Sequence, residues 1–325
     1  MSAPVLVTGA AGFIGSRVVA RLLDEGRHVV GVDNLNEAYD SRLKTYRLRQ
    51  LEGRSGFRFV HTDITDLPAL EAIFREEVPA AVINLAARAG VRASVEDPWA
   101  FLSTNTTGTL NLLELCHRTG VPKFVLASTS SIYGADAPYP TPETASSDRP
   151  LQPYSASKKG AEAMCHAYHY LYDLDVTIFR YFTVYGPAGR PDMVMFRFIQ
   201  WIAEGRPVRL NGDGEQSRGF TYVDDIARGT VQGLKPLGYE IINLGGHETI
   251  TINGMIAELE KLIERSAQVE RQPLHKADML ANWADVSKAR ALLGWEPQVS
   301  LLEGMRRTVE WYFAERGWAS QVLTP

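Results

Sequence analysis

Residues 5–15 read VLVTGAAGFIG. Val5, Leu6 and Val7 form a short apolar run, as expected of a strand buried on both faces. Three glycines follow at Gly9, Gly12 and Gly15, and an amphipathic stretch runs from Phe13 to Leu23. Strand, glycine turn and helix start thus lie in one segment. Glycine lets the backbone turn tightly and come close to a pyrophosphate. A helix start adds unpaired N–H groups and the positive end of the helix dipole. A glycine trio alone also fits a merely tight turn, but this one follows a strand and opens a helix. The candidate cradle for a dinucleotide phosphate is Gly9, Gly12, Phe13, Ile14 and Gly15.

The same alternation continues outward. Strand-like runs are His28–Asp33, Phe57–His61, Ala80–Leu85, Phe124–Ala127 and Val176–Phe182. Helix-like stretches are Tyr39–Leu51, Leu67–Glu77, Trp99–His117 and Tyr154–Tyr172. Gly134–Pro153 interrupts them with five prolines, which donate no hydrogen bond, and reads as a loop. Continuous apolar strands alternating with helices predict an α/β fold, a Rossmann-type doubly wound parallel sheet. After Phe182 the elements become shorter and mixed. A turn is expected at Asn211–Gly214, helices at Asp224–Leu234, Thr251–Arg265 and Leu301–Arg316, and a strand at Glu240–Leu244. The expected division is a dinucleotide-binding domain over 1–182, with return segments near 220–246. A smaller mixed α/β substrate domain would occupy most of 183–325.

Composition removes several classes of function. The 325 residues carry 34 Lys plus Arg against 38 Asp plus Glu, a net charge of −4. A broad basic surface for nucleic acid is not expected at that balance. No apolar run approaches the roughly 18 residues of a membrane helix. The N-terminus has no basic region of a secretory signal. Two cysteines, Cys116 and Cys165, make neither a disulfide framework nor a zinc site, and a cytoplasmic setting follows. His166 and His169 are three apart without further ligands in view, so no metal is expected. Arg42, Lys44, Arg47 and Arg49 lie between Glu37 and Glu52 and read as a solvated helix face.

Asp33 ends the second strand, 18 positions after Gly15. A carboxylate there can accept hydrogen bonds from both ribose hydroxyls of an adenosine and would repel a 2′-phosphate, so NAD is favoured over NADP. Asp63, after the third strand, is placed to meet the adenine edge. Tyr154 and Lys158 are four apart at a helix start and share a face. An ammonium near a phenol favours the phenolate, which makes Tyr154 a candidate base toward an alcohol. Ser128, Thr129, Ser130 and Ser131 sit at the C-terminal end of the fifth strand, where ligands of such sheets bind.

These features together resemble the extended short-chain dehydrogenase/reductase family, within it the nucleotide-sugar 4-epimerases. The resemblance is carried by the GAAGFIG loop, VDNLNEAYD (32–40), Asn84-Leu85-Ala86-Ala87, AARAGVRASVEDP (86–98) and TNTTGTLNLL (104–113). STSSIYG (128–134), Tyr154 with Lys158, YFTVYGPAGRPDM (181–193) and RGFTYVDDI (218–226) complete it. It implies NAD contacts at Asn34, Asp63, Ile64, Leu85, Ala86, Ala87 and Asn105, besides the glycine loop and Asp33. It implies Thr129 as the catalytic hydroxyl, Tyr154 as the base and Lys158 as the ribose-binding lysine. Arg190 and Arg218 would contact the phosphates of UDP, and Asp278 would lie near the uridine ribose. Gly219 departs from the pattern, since relatives often carry Asp there. The family also implies a homodimer built from the Trp99–His117 and Tyr154–Tyr172 helices.

The implied reaction is an isomerisation without net redox. NAD would stay tightly bound and be regenerated in each cycle, and UDP-glucuronate would become UDP-galacturonate through a 4-keto sugar. Dehydratases and decarboxylases of the family carry an acid close to the catalytic Ser/Thr. None is present among Ser128, Ser130, Ser131 and Ile132. Thr129, Ser130, Ser131 and Thr183 could instead hydrogen-bond a substrate carboxylate. Three alternatives stay open at this point: a UDP-glucose/UDP-galactose 4-epimerase, a UDP-glucuronate decarboxylase, and a non-catalytic NAD-sensing protein.

Overall fold

The computed structural model describes residues 3–246, 248–273 and 281–325. The first part alternates β1 (Val5–Thr8), α1 (Phe13–Asp24), β2 (Val29–Asp33), α2 (Arg42–Arg49), β3 (Phe57–His61), α3 (Leu67–Glu77) and β4 (Ala81–Asn84). Three helical pieces follow: α4 (Ala93–Glu96), α5 (Pro98–Leu102) and α6 (Gly108–Thr119). A π-helical segment, Ser103–Thr107, joins the last two. β5 (Lys123–Thr129) runs into a 3-10 turn, Ser130–Tyr133. After the proline-rich loop come α7 (Pro153–Tyr172) and β6 (Asp175–Tyr181). The second part holds β7 (Thr183–Tyr185), α8 (Val194–Glu204), β8 (Val208–Asn211), β9 (Ser217–Tyr222), α9 (Val223–Gln232) and β10 (Tyr239–Leu244). It closes with β11 (Thr249–Thr251), α10 (Ile252–Ile263), β12 (Val269–Gln272), β13 (Ala281–Asn282), α11 (Ser287–Leu293), α12 (Leu301–Ala314) and α13 (Arg316–Ala319).

Seven parallel strands form the central sheet in the order β10-β6-β5-β4-β1-β2-β3. The order reverses between β1 and β4, which opens a crevice at the C-terminal strand ends. Successive strand residues face opposite sides, so two cores form. Val5 and Val7 join Val18, Val19 and Leu22 of α1 and Ile226 and Val231 of α9 on one side. Leu6, Val30 and Val32 join Leu70 and Phe74 of α3, Leu112 and Leu113 of α6 and Cys165 of α7 on the other. A third core lies beyond the sheet, where α8, α10 and α12 bring together Phe198, Trp201, Ile202, Met255, Leu259 and Tyr312. β9 is the hub of a second sheet, pairing with β7, β11 and β13.

The structure differs from expectation in three places. The Trp99–His117 helix is interrupted by the π-helical turn at Ser103–Thr107. Such turns concentrate at functional sites, and this one positions Asn105. The strands β7, β8 and β11–β13 were not legible because they have only two to four residues, and β12 is exposed along its whole length; β9 is longer and buried at four of its six positions, but its SRGFTY sequence lacks a continuous apolar run. Finally, Ala284, Val286, Ala289 and Trp295 return to the first core, although they lie far along the second part of the chain.

Candidate active site

The glycine turn is set by backbone crowding. Gly9 has φ +69°, and a Cβ there would lie 2.8 Å from the Ala86 nitrogen. A Cβ on Gly15 would lie 1.9 Å from the Gly9 carbonyl oxygen. Gly12 caps α1 with no side-chain hydrogen bond. The first-turn N–H groups at Phe13 and Ile14 therefore remain for an anion. A cradle that no side chain can enter, with an uncapped helix start, fits a dinucleotide pyrophosphate.

Asp33 lies beside that turn, at the end of β2. Its carboxylate accepts hydrogen bonds from the Ala11 nitrogen at 3.2 Å and the Leu35 nitrogen at 2.8 Å. Lys44 Nζ donates to it at 3.2 Å. The basic stretch is thus not a solvated face. Lys44 and Arg47 are both buried, because one side of α2 packs on the glycine turn. Arg47 donates to the carbonyls of Ala188 and Gly189 and to the Tyr39 hydroxyl. The missed signal was the helical spacing, which puts Lys44 and Arg47 on one face and leaves Arg42 and Arg49 exposed.

Asn34 and Asp63 are bonded to each other, and Asp63 also accepts from the Thr65 nitrogen and hydroxyl. These bonds hold the Asp63 carboxyl below its usual range against the opposing effect of partial burial. Ile64 is buried, with its carbonyl bonded to Asn111 Nδ2 at 3.0 Å. Leu85, Ala86 and Ala87 pass over the glycine turn. Thr8 Oγ1 donates to Asn84 at 2.7 Å and accepts from the Ala86 nitrogen at 3.1 Å. Asn105 is fully buried and clamps this loop: it pairs with both the N–H and the carbonyl of Arg88 and donates to Ser157 Oγ at 2.9 Å. Its amide is committed to shaping the loop and the start of α7.

Tyr154 and Lys158 share one face of α7. Pro153 occupies the first turn, where its missing N–H costs nothing. Burial pushes the Tyr154 phenol above the ordinary tyrosine value; a hydrogen bond with Thr129 and the charge of Arg190 oppose that rise. Lys158 is lowered to about 8, first by burial, with Cys165 and Glu162 opposing. The charge of Arg190 acts on the phenol in the direction of the phenolate.

Thr129 ends β5, and its Oγ1 accepts from the Ser131 nitrogen at 3.2 Å. Ser128 points elsewhere, donating to Glu162 at 2.6 Å. Glu162 in turn holds Arg180, at 2.8 and 3.0 Å, in a buried ion pair behind the site. Ser130 is buried and accepts from Asn282 Nδ2 at 3.1 Å. Thr183 begins β7, just beyond the strand that pairs with Thr129. Hydroxyls thus gather at one strand end, and residues 128–133 contain no carboxylate.

Arg190 is paired with Asp192 and donates to the Ala89 carbonyl at 3.1 Å. Arg218 lies on β9, with its Nη1 donating to the Ser217 carbonyl at 2.8 Å. The odd residue Gly219 has a local reason: a Cβ there would meet the Gly246 carbonyl at 2.7 Å and Trp283 Cβ at 2.8 Å. Trp283 stacks on Tyr139 at 4.9 Å between ring centres. Asp278 lies outside the described residues. Among the described residues no group of three or more His, Cys, Asp or Glu could hold a metal ion. His169 is engaged with the Leu174 carbonyl at 3.0 Å.

The model of the NAD dependent epimerase/dehydratase family matches residues 5–245. A UDP-glucuronate 4-epimerase from Thermodesulfobacterium geofontis is 58% identical over 307 residues, 94% of this chain and 95% of that protein. The crystal structure of UDP-glucuronic acid 4-epimerase from Bacillus cereus, in complex with UDP-glucuronic acid and NAD, is also similar. It has a TM-score of 0.87 at 38% identity, covering 96% of this chain and 99% of that one. The UDP-glucose 4-epimerase of Thermotoga maritima, solved with UDP-glucose, has a TM-score of 0.90 at 35% identity, with 96% and 99% covered.

Proposed function

The chain belongs to the NAD dependent epimerase/dehydratase family, and from that premise we propose that it interconverts UDP-glucuronate and UDP-galacturonate. When bound, NAD supplies reversible hydride transfer at carbon 4 of the sugar. Gly9, Gly12, Phe13, Ile14 and Gly15 hold its pyrophosphate, Asp33 its adenosine ribose and Lys158 its nicotinamide ribose. Tyr154 takes the proton of the 4-hydroxyl and later returns it, with Thr129 hydrogen-bonded between phenol and sugar. Arg190, beside Tyr154, stabilises the negative charge on the phenol oxygen. Arg218 is assigned to the phosphates of UDP and Asp278 to its uridine ribose. The sheet half of the chain, 1–182, carries the cofactor, and most of 183–325 carries the nucleotide sugar.

One observation carries the choice of an acidic sugar: buried Ser130 beside half-buried Ser131 and Thr183, with no carboxylate in residues 128–133. Ser130, Ser131 and Thr183 donate to the substrate carboxylate. Oxidised UDP-glucuronate is a β-keto acid, which loses carbon dioxide when the breaking bond aligns with the ketone π system. Several fixed donors hold the carboxylate out of that alignment. An acid to drive elimination is missing at the same place.

The test is proton NMR of purified protein with UDP-glucuronate and no added NAD. UDP-galacturonate is expected, formed by copurified cofactor. A UDP-pentose or 4-keto pentose would overturn the account of the hydroxyls. No conversion with NAD added, but conversion of UDP-glucose, would move the substrate to neutral sugars.

The assembly belongs to the same proposal. Trp99 and Tyr170 are 78% and 79% exposed, and Val95, Leu102 and Leu171 are also exposed on α4, α5 and α7. Such an apolar patch is expected to be covered, here by a second copy of the chain. Light scattering should give a dimer, and Trp99→Asp should give a monomer. No helix among the described residues is long and apolar enough to cross a membrane, and both cysteines are unpaired. We place the protein in the cytoplasm on the second ground.

A further inference from the structure

Three neighbouring hydroxyls at the end of β5 differ in what happens to their protons. Ser128 donates a hydrogen bond to Glu162. Thr129 donates to Ser131 Oγ at 3.3 Å and is also hydrogen-bonded to Tyr154. Ser130, however, accepts a hydrogen bond from Asn282 Nδ2 at 3.1 Å. An amide nitrogen only donates, and a hydroxyl has one proton and two lone pairs. Asn282 therefore occupies a lone pair of Ser130 and forbids it from donating in that direction. Among the described residues nothing accepts the Ser130 proton.

We infer that Asn282 is a positioning residue that turns Ser130 into a fixed hydrogen-bond donor for the carboxylate of the sugar. The inference rests on the proposed carboxylate site and names the residue that gives that site its polarity. A carboxylate accepts only, so it matches a hydroxyl whose proton has no other destination. The 6-hydroxymethyl group of a neutral sugar both donates and accepts, so it gains less from that constraint.

The position of Asn282 in the fold gives it a second property. In β13, Asn282 is the register partner of Arg218 on β9. The residues that follow are tied to the proline-rich loop: the Thr141 nitrogen donates to the Trp283 carbonyl at 3.0 Å, and the Asp285 nitrogen to the Thr141 carbonyl at 2.9 Å. Asn243 Nδ2 donates to the same Thr141 carbonyl at 2.9 Å. Asn282 is thus held from both sides. The strand pair that carries Arg218 at the nucleotide end also sets Ser130 at the sugar end, so one rigid element spans both ends of the substrate.

The experiment measures kcat and KM for UDP-glucuronate and UDP-glucose, and the Kd of UDP, in the NAD-loaded enzyme. The variants are Asn282→Ala, Asn282→Asp, Ser130→Ala and the Asn282→Ala/Ser130→Ala double. Asn282→Ala should raise the UDP-glucuronate KM by about fivefold, and Asn282→Asp by at least about tenfold, because the new carboxylate accepts from Ser130 and reverses its polarity. UDP affinity should stay within about twofold, and the KM for UDP-glucose should change least. The double variant should match Ser130→Ala alone, as expected for a residue acting through another. Additive losses, or a Ser130→Ala defect with no Asn282→Ala defect, would overturn the inference and leave the carboxylate site standing. A parallel loss of UDP affinity would reduce Asn282 to a structural prop. An unchanged UDP-glucuronate KM in Ser130→Ala would remove the carboxylate site itself, and the role of Asn282 with it.

Discussion

Arg47 reaches from α2 to the Ala188 carbonyl, donating from Nη2 at 2.7 Å and from Nε at 3.0 Å. The two residues are 141 positions apart. The same guanidinium lies 3.4 Å from the Ala11 carbonyl in the glycine turn. Ala188 has φ +52°, a left-handed backbone that a non-glycine residue adopts only when its surroundings enforce it. One buried cation therefore couples the cofactor loop to the loop that carries Arg190.

Arg47→Ala leaves the Ala188 and Gly189 carbonyls buried without their donor. The expected loss is about 2–4 kcal/mol of unfolding free energy. KM for the UDP-sugar should rise together with loss of copurified NAD. Denaturant unfolding and cofactor content check both. A defect in stability alone would place Arg47 outside the site.

Tyr154→Phe removes the proton carrier and keeps the ring that meets Phe101 edge-on at 6.1 Å. kcat should fall by about 10³-fold, within the usual range for a general acid–base group. UDP-sugar binding should change little, as calorimetry would show. A folded variant with wild-type turnover would mean that Tyr154 is not the base, and a retained biological effect would favour the sensor reading.

Lys158 is a buried ammonium brought down to about 8 in the cofactor-free protein. Its unfolded-state value is the ordinary 10.5. Between those two values the unfolded chain holds a proton that the folded chain has released. Stability relative to a Lys158→Met variant should therefore rise as pH climbs from about 8 to 10.5, and the burial penalty is fully present below about 8. At pH 7 the NAD-free Met variant should be the more stable protein, by on the order of 3 kcal/mol at most, and inactive. Unfolding titrations of both proteins at two pH values check the sign. A gap that widens with rising pH would contradict it.

Gly219→Asp, which restores the residue common among relatives, should destabilise this chain by about 1–3 kcal/mol, because Trp283 fills the space. Adding Trp283→Ala should recover part of that loss. A double-mutant cycle on thermal unfolding measures the coupling. Strict additivity would show that the two positions do not share space.

Asp33→Ser removes the charge that faces the adenosine ribose and leaves the Lys44 ammonium, now 3.2 Å from Asp33, without its carboxylate partner. Preference for NADP relative to NAD should rise at least about tenfold on reconstitution of stripped enzyme. An unchanged preference would mean that discrimination lies elsewhere in the pocket.

The parts that could be read directly were those whose signals are local. The glycine turn at Gly9–Gly15, the Asp33 strand end and the four-residue step from Tyr154 to Lys158 each lie within one short segment. Periodicity and backbone sterics act over such distances. The doubly wound parallel sheet followed from the repeated alternation of buried strands and helices, whereas its strand order came only from the structure. The basic stretch of α2 was misjudged, because burial of Lys44 and Arg47 depends on partners at Asp33 and Ala188. Only one of those partners lies nearby in sequence.

By itself the sequence determined the parallel sheet, the glycine turn and the helix that carries Tyr154 and Lys158, because hydrophobic period and glycine geometry are short-range properties. Tertiary structure alone decided that the charge of Arg190 reaches the Tyr154 phenol. It also decided why Gly219 must be glycine, and which way the Ser130 hydroxyl can donate. Arg190, Trp283 and Asn282 come from distant parts of the chain, and hydrogen bonds and desolvation act across space. Their effects exist only once the sheet and β9 have brought these residues together.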